Sequence, residues 1–237
     1  MELVQYDVRD RVAHVTISNG KANALSPDVI AGLADALTRA EDAGESTIGA
    51  VLISGTPGML SGGFDLDVMR SGPAAAGKLV TDGGELFARM FGSAVPVVVA
   101  CTGHAIAAAS LMLLAADARI GAQGAFRIGL IETQLGMVLP RWAVELAQER
   151  ITPRCFQDAT VGARIYDPDG AVAAGFLDAA VAPDALADTA AAEAQRWGAL
   201  PRDAYRGQVR MCRAARLGRL ADAIAADRGR TFQVPGS

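Results

Sequence analysis

Two short runs, IGAVLISG (Ile48–Gly55) and VPVVVAC (Val95–Cys101), constrain the fold most, because neither alternates between polar and apolar residues. A strand with apolar side chains on both sides must be covered on both faces, which is the habit of a parallel sheet sandwiched by helices. The segments around them supply the covers. Ser26-Pro27-Asp28 reads as an N-cap, a proline at the first helical position and an early acid; Val29, Ile30, Leu33, Leu37 and Ala40 follow at helical spacing until Gly44. Further helices are expected over Gly84–Phe91 and Ala107–Ala116, and short strands over Ala118–Ala122 and Phe126–Leu130. Upstream, LVQYDV and VAHVTI alternate with period two around Arg9-Asp10-Arg11 and predict an opening β-hairpin. Strands alternating with helices give the α/β class. Thr152-Pro153 and Asp167-Pro168 start further helices, and Gly175 stops one. No repeat or low-complexity linker divides the 237 residues, so one domain is expected: a core to about residue 182, then C-terminal helices over about 183–237.

Composition removes several functions. A net charge of −4 gives no general attraction to nucleic acid. The longest nearly unbroken apolar run, Ala105–Ala116, falls short of the roughly 20 residues a bilayer span requires. The N-terminus MELVQYDVRDR lacks a signal-peptide pattern, and Cys101, Cys155 and Cys212 match no zinc or redox spacing; a cytoplasmic protein with reduced thiols is expected. His14 and His104 stand alone, with no metal cluster. GPAAAGKL (Gly72–Leu79) resembles a phosphate-binding loop, but Leu79 stands where a hydroxyl must meet magnesium and no strand precedes it.

Three segments carry chemistry. In MLSGGFDLDVM (Met59–Met69), two glycines before an acid permit a sharp turn whose backbone N–H groups can face a cleft. In CTGHAIAAASLMLLAAD (Cys101–Asp117), a turn at Gly103 leads to the start of an apolar helix near Ala107 and Ala108, whose first N–H groups have no internal partner. In GLIETQLGMVLP (Gly129–Pro140), Glu132 is a lone acid among apolar residues. A buried, unpaired carboxylate is costly, so its pKa rises and it becomes suited to moving protons.

In this order and spacing the segments resemble the crotonase superfamily, the enoyl-CoA hydratase/isomerase family. The likeness runs from GKANALS (Gly20–Ser26) through SGGFDL and the helix after Gly103 to DPDGAVAAGFLDAAV (Asp167–Val181). It implies a ββα spiral with C-terminal helices that often build a trimer, and a homotrimer or hexamer is expected. It also implies an acyl-CoA substrate, coenzyme A being part of that substrate and no separate cofactor being needed. By the same resemblance the N–H groups of Phe64 and Ala108 form an oxyanion hole for a thioester enolate. Ala22 and Ala24, with Gly62, Gly63, Asp65 and Leu66 of the loop, border the coenzyme A moiety. Hydratases of the family carry two glutamates; here the first falls on Leu111, beside the substrate, and Glu132 remains. GLIETQLG resembles the corresponding segment of Δ3,Δ2-enoyl-CoA isomerases, which implies an isomerase with Glu132 as sole acid/base. A hydratase or other crotonase reaction, and a noncatalytic acyl-CoA-binding protein, are the alternatives. Family members usually place glycines where this chain reads Ala107-Ala108-Ala109. Alanine keeps the N–H, but wherever positive φ is required it costs about 1 kcal/mol.

Overall fold

A computed structural model describes residues 2–232. The elements run β1 (Val4–Arg9), β2 (Val12–Ile17), α1 (Pro27–Asp42), β3 (Ala50–Ser54), β4 (Gly58–Ser61), α2 (Leu66–Arg70), α3 (Pro73–Phe91), β5 (Val97–Cys101), β6 (Gly103–Ile106) and α4 (Ala108–Ala115). After these come β7 (Ala118–Ala122), β8 (Ile128–Gly129), α5 (Arg141–Arg150), α6 (Pro153–Thr160), α7 (Pro168–Ala174), β9 (Ala179–Val181), α8 (Leu186–Gly198) and α9 (Arg202–Asp227).

The strands sort into two sheets with a regular rule. One sheet has the order β1-β2-β3-β5-β7-β9 and the other β4-β6-β8, so after the β1–β2 hairpin each of the turns β3–β4, β5–β6 and β7–β8 lays one strand in the large sheet and the next in the small one before helices return the chain. This is the ββα spiral of the crotonase fold. The β1–β2 hairpin is antiparallel and the later pairs in both sheets are parallel. Period-two alternation explains why the central strands are apolar throughout. Val51, Ile53, Val97, Val99 and Cys101 face a core shared with α1, α3 and α4, whereas Leu52, Val98, Ala100 and Ile120 face a second core closed by Leu186, Ala190 and Ala194 of α8.

Ser26 caps α1 as expected, its Oγ accepting from Val29 N–H at 3.3 Å. The expected helix over Gly84–Phe91 is too short, because α3 begins at Pro73 and includes Gly83 and Gly84. Those glycines are helical for a packing reason: a Cβ on Gly83 would strike the Phe64 ring, and one on Gly84 would lie 2.8 Å from Trp142 Nε1. Two rings occupy the space that side chains would fill. The phosphate-loop look-alike is the first turns of α3, with Lys78 paired to Asp82 at 2.6 Å. The strand expected over Phe126–Leu130 is also shorter, reduced to Ile128–Gly129.

Candidate active site

Phe64, Ala108 and Glu132 share one architectural position. They follow the last residues of the three neighbouring strands of the small sheet: Ser61 of β4, Ile106 of β6 and Gly129 of β8. Loops beyond the carboxyl ends of parallel strands are where α/β proteins bind ligands, because strand dipoles and helix N-termini converge there. A cavity of about 440 Å³ lies elsewhere, bordered by Gly58, Thr102 and Phe126 at the opposite ends of these strands. The strand ends and the buried acid mark the site.

The turn after β4 is held by GKANALS. Gly62 N–H donates to the Ala22 carbonyl at 2.8 Å, Leu25 N–H to the Gly63 carbonyl at 2.8 Å and Asp65 N–H to the Leu25 carbonyl at 3.3 Å. Gly63 has φ +98° and no room for a side chain, since a Cβ would come within 2.9 Å of the Ile106 carbonyl and 3.3 Å of Ala108 N. The first two turns therefore touch backbone to backbone. Among the described residues, neither Phe64 N–H nor Ala108 N–H donates to a protein acceptor. Ala108 opens α4, a helix whose eight residues are all buried and whose positive end is at this point. Of the three alanines, Ala107 alone has positive φ (54°, ψ −120°), so the strain expected from the missing glycines falls on one residue. Ala24, half-buried, accepts from Asn19 Nδ2 at 2.7 Å, and Ala22 and Leu66 are exposed beside the turn.

Glu132 stands just before a turn of 3-10 helix, Thr133–Leu135, and its carbonyl accepts from Leu135 N–H at 3.0 Å and Met137 N–H at 2.8 Å. Its side chain is buried, the residue being 8% exposed, and Oε2 has no hydrogen-bond partner. Burial pushes its pKa from 4.5 up to about 7, against a smaller opposing effect of the Glu132 and Ile131 backbone. Leu111, one turn into α4, is 1% exposed. Asp65 and Glu145 have partners of their own: Asp65 Oδ1 caps α2 by accepting from Asp67 and Val68 N–H, and Glu145 pairs with Arg216 and Arg219.

Three polar residues with no distinguishing motif in the sequence also frame the site. Asn23, fully buried with φ 44°, accepts from Asn19 N–H at 2.9 Å and donates to Thr56 Oγ1 at 3.0 Å and the Met59 carbonyl at 3.1 Å. Ser61 Oγ accepts from Gly63 N–H at 3.1 Å, and Ser110 links β6 to β8. Asn23 carried one signal, since asparagine tolerates positive φ better than most residues. His104 is structural, its Nδ1 accepting from Arg127 N–H at 3.0 Å.

The enoyl-CoA hydratase/isomerase family model matches residues 7–233, nearly the whole chain. The chain belongs to this family. Human mitochondrial enoyl-CoA delta isomerase 1 is 32% identical over 95% of this chain and 75% of its own length. A probable enoyl-CoA hydratase of Mycobacterium avium is 30% identical over 81% of this chain and 74% of its own length. Among solved structures, an enoyl-CoA hydratase/isomerase family protein from Pseudomonas syringae superposes with TM-score 0.92 at 41% identity, over 97% of this chain and 98% of that one. Human mitochondrial Δ3,Δ2-enoyl-CoA isomerase superposes with TM-score 0.89 at 28% identity, over 95% and 88%. The relatives include both an isomerase and a probable hydratase, so membership in the enoyl-CoA hydratase/isomerase family sets the fold and the enzyme family and leaves the reaction to the side chains. No helix among the described residues is long and apolar enough to cross a membrane.

Proposed function

We propose that this protein is an enoyl-CoA isomerase that moves a double bond from C3–C4 to C2–C3 of an acyl-CoA thioester, with Glu132 as its sole acid/base. The observation that carries the reading is a buried carboxylate with an unpartnered oxygen; by the resemblance, buried Leu111 stands where hydratases of the family have their other glutamate. Hydration needs one group to orient and activate water while a proton is delivered to carbon, work suited to two carboxylates; shifting a double bond needs one.

The step balances on this chain's own groups. Glu132 takes a proton from C2, and the C2–H electron pair runs through the C3–C4 double bond and the thioester carbonyl to give a dienolate. Phe64 and Ala108 N–H donate to the negative oxygen, each such donor being worth about 3 kcal/mol of barrier. Glu132, now a carboxylic acid, returns the proton to C4 and the double bond settles at C2–C3. A pKa of about 7 suits a group that must first accept and then release the same proton. Ala22, Ala24 and the Gly62–Leu66 loop border the coenzyme A moiety in this reading. The test compares two reactions of the purified protein. It is expected to convert a 3-enoyl-CoA to the 2-trans-enoyl-CoA at least tenfold faster than it hydrates the latter; hydration at a comparable or greater rate overturns the assignment.

A further inference from the structure

We propose that the Ser110 hydroxyl is the positioning element that fixes Glu132 relative to the oxyanion turn. The inference rests on the isomerase reading above. Ser110 is fully buried, in the first turn of α4 and two residues after Ala108. Its Oγ donates to the Ala105 carbonyl at 2.7 Å and accepts from Gly129 N–H at 2.9 Å, which uses its only proton and one lone pair. Those partners belong to the two strands that lead into the site: Ala105 precedes the oxyanion turn on β6, and Gly129 ends β8 three residues before Glu132.

The register explains why a hydroxyl is needed there. Ala105 pairs with Ile128 in a parallel ladder, an arrangement that aims Gly129 N–H at the Ala105 carbonyl. The serine oxygen bridges these same two groups. Ser110 N–H also donates to the Ala107 carbonyl at 2.9 Å, so one residue closes the positive-φ turn that presents Ala108 N–H and ties it to the strand that delivers Glu132. Ala107 N–H, bonded to the Gly129 carbonyl at 2.9 Å, holds the other side of the same junction. With the hydroxyl removed, the two strands can close on each other, which displaces Glu132 against a turn that the helix still holds. Proton transfer to carbon depends steeply on such placement.

The experiment compares Ser110→Ala and Ser110→Cys with the unaltered protein in isomerisation kinetics and in NMR of 15N-labelled backbone and 13C-labelled glutamate side chains. For Ser110→Ala we expect kcat to fall on the order of 10- to 100-fold with KM for the 3-enoyl-CoA changed less than threefold. The Gly129 amide and Glu132 carboxyl resonances are expected to move together. Ser110→Cys, which keeps the size and a weak donor and acceptor, is expected to recover part of kcat. A kcat per folded protein within twofold of that of the unaltered protein, or a rise in KM as large as the fall in kcat, overturns the proposal. If the unaltered protein does not isomerise, the functional reading fails separately. The coupling is then decided by the resonances: joint movement of Gly129 and Glu132 supports it, and an unmoved Glu132 signal refutes it.

Discussion

Replacing Glu132 with Gln should make the protein more stable, and by an amount that depends on pH. Burial raises the Glu132 pKa from its ordinary 4.5 to about 7, so the folded state holds the proton more tightly than the unfolded chain does. Below pH 4.5 both states are protonated and the buried carboxyl carries no charge penalty. As the pH rises from 4.5 to about 7 the unfolded chain ionises freely while the folded one resists, and stability is lost; above about 7 the loss is complete. The gap between about 7 and 4.5, at about 1.36 kcal/mol per unit, comes to ~3 kcal/mol. Glutamine has the same shape and does not titrate, so it escapes this loss. Urea unfolding of both proteins at pH 5 and pH 8 measures the difference, since the other titrating groups are common to both. The advantage of Glu132→Gln should widen by about 2–3 kcal/mol between the two pH values, or by roughly 4–12 °C in Tm for a chain of this size. An advantage that does not change with pH would mean Glu132 titrates as an exposed carboxylate, and the desolvation argument would fall.

Two further outcomes follow from the same geometry. The reaction starts from ionised Glu132, so kcat/KM should rise about tenfold per pH unit below about 7 and level off above it; a flat profile from pH 5 to 8 would assign proton transfer to another group. Ala107 sits at φ 54° and ψ −120°, where a methyl is strained, so Ala107→Gly should raise unfolding stability by about 1 kcal/mol while leaving Ala108 N–H in place; a destabilised variant would show that the methyl contributes more by packing against Gly63 than it costs in strain.

How much of this was legible in the sequence depended on whether a residue's partners lie nearby in the chain. The central large-sheet strands could be read because burial on both faces leaves a local apolar run, as in Val51–Ile53 and Val97–Cys101, whereas half-buried β9 was not. Of the small sheet β8 was read, though as a longer strand over Phe126–Leu130; β4 and β6, with four residues each, are too short to carry a period and exist through pairing across distant segments. The part of α3 before Gly84 was not read as helix because helical glycine is unfavourable alone; the Phe64 and Trp142 rings that fill the space beside Gly83 and Gly84 come from other parts of the chain. Glu132 stood out since an acid in an apolar segment is anomalous from sequence alone. Ser110 and Asn23 did not, being ordinary polar residues until their buried partners are known.

The claim on which most depends is that one carboxylate carries the proton from C2 to C4, and isomerisation by Glu132→Gln tests it most directly. Rates with a 3-enoyl-CoA should be measured alongside affinity for a saturated acyl-CoA of equal length. Glutamine keeps the shape but cannot accept the C2 proton at neutral pH, so kcat should drop at least about 1,000-fold while affinity changes less than about threefold. Isomerisation persisting within tenfold of the unaltered rate, with acyl-CoA still bound, would contradict the assignment and move the chemistry to another residue.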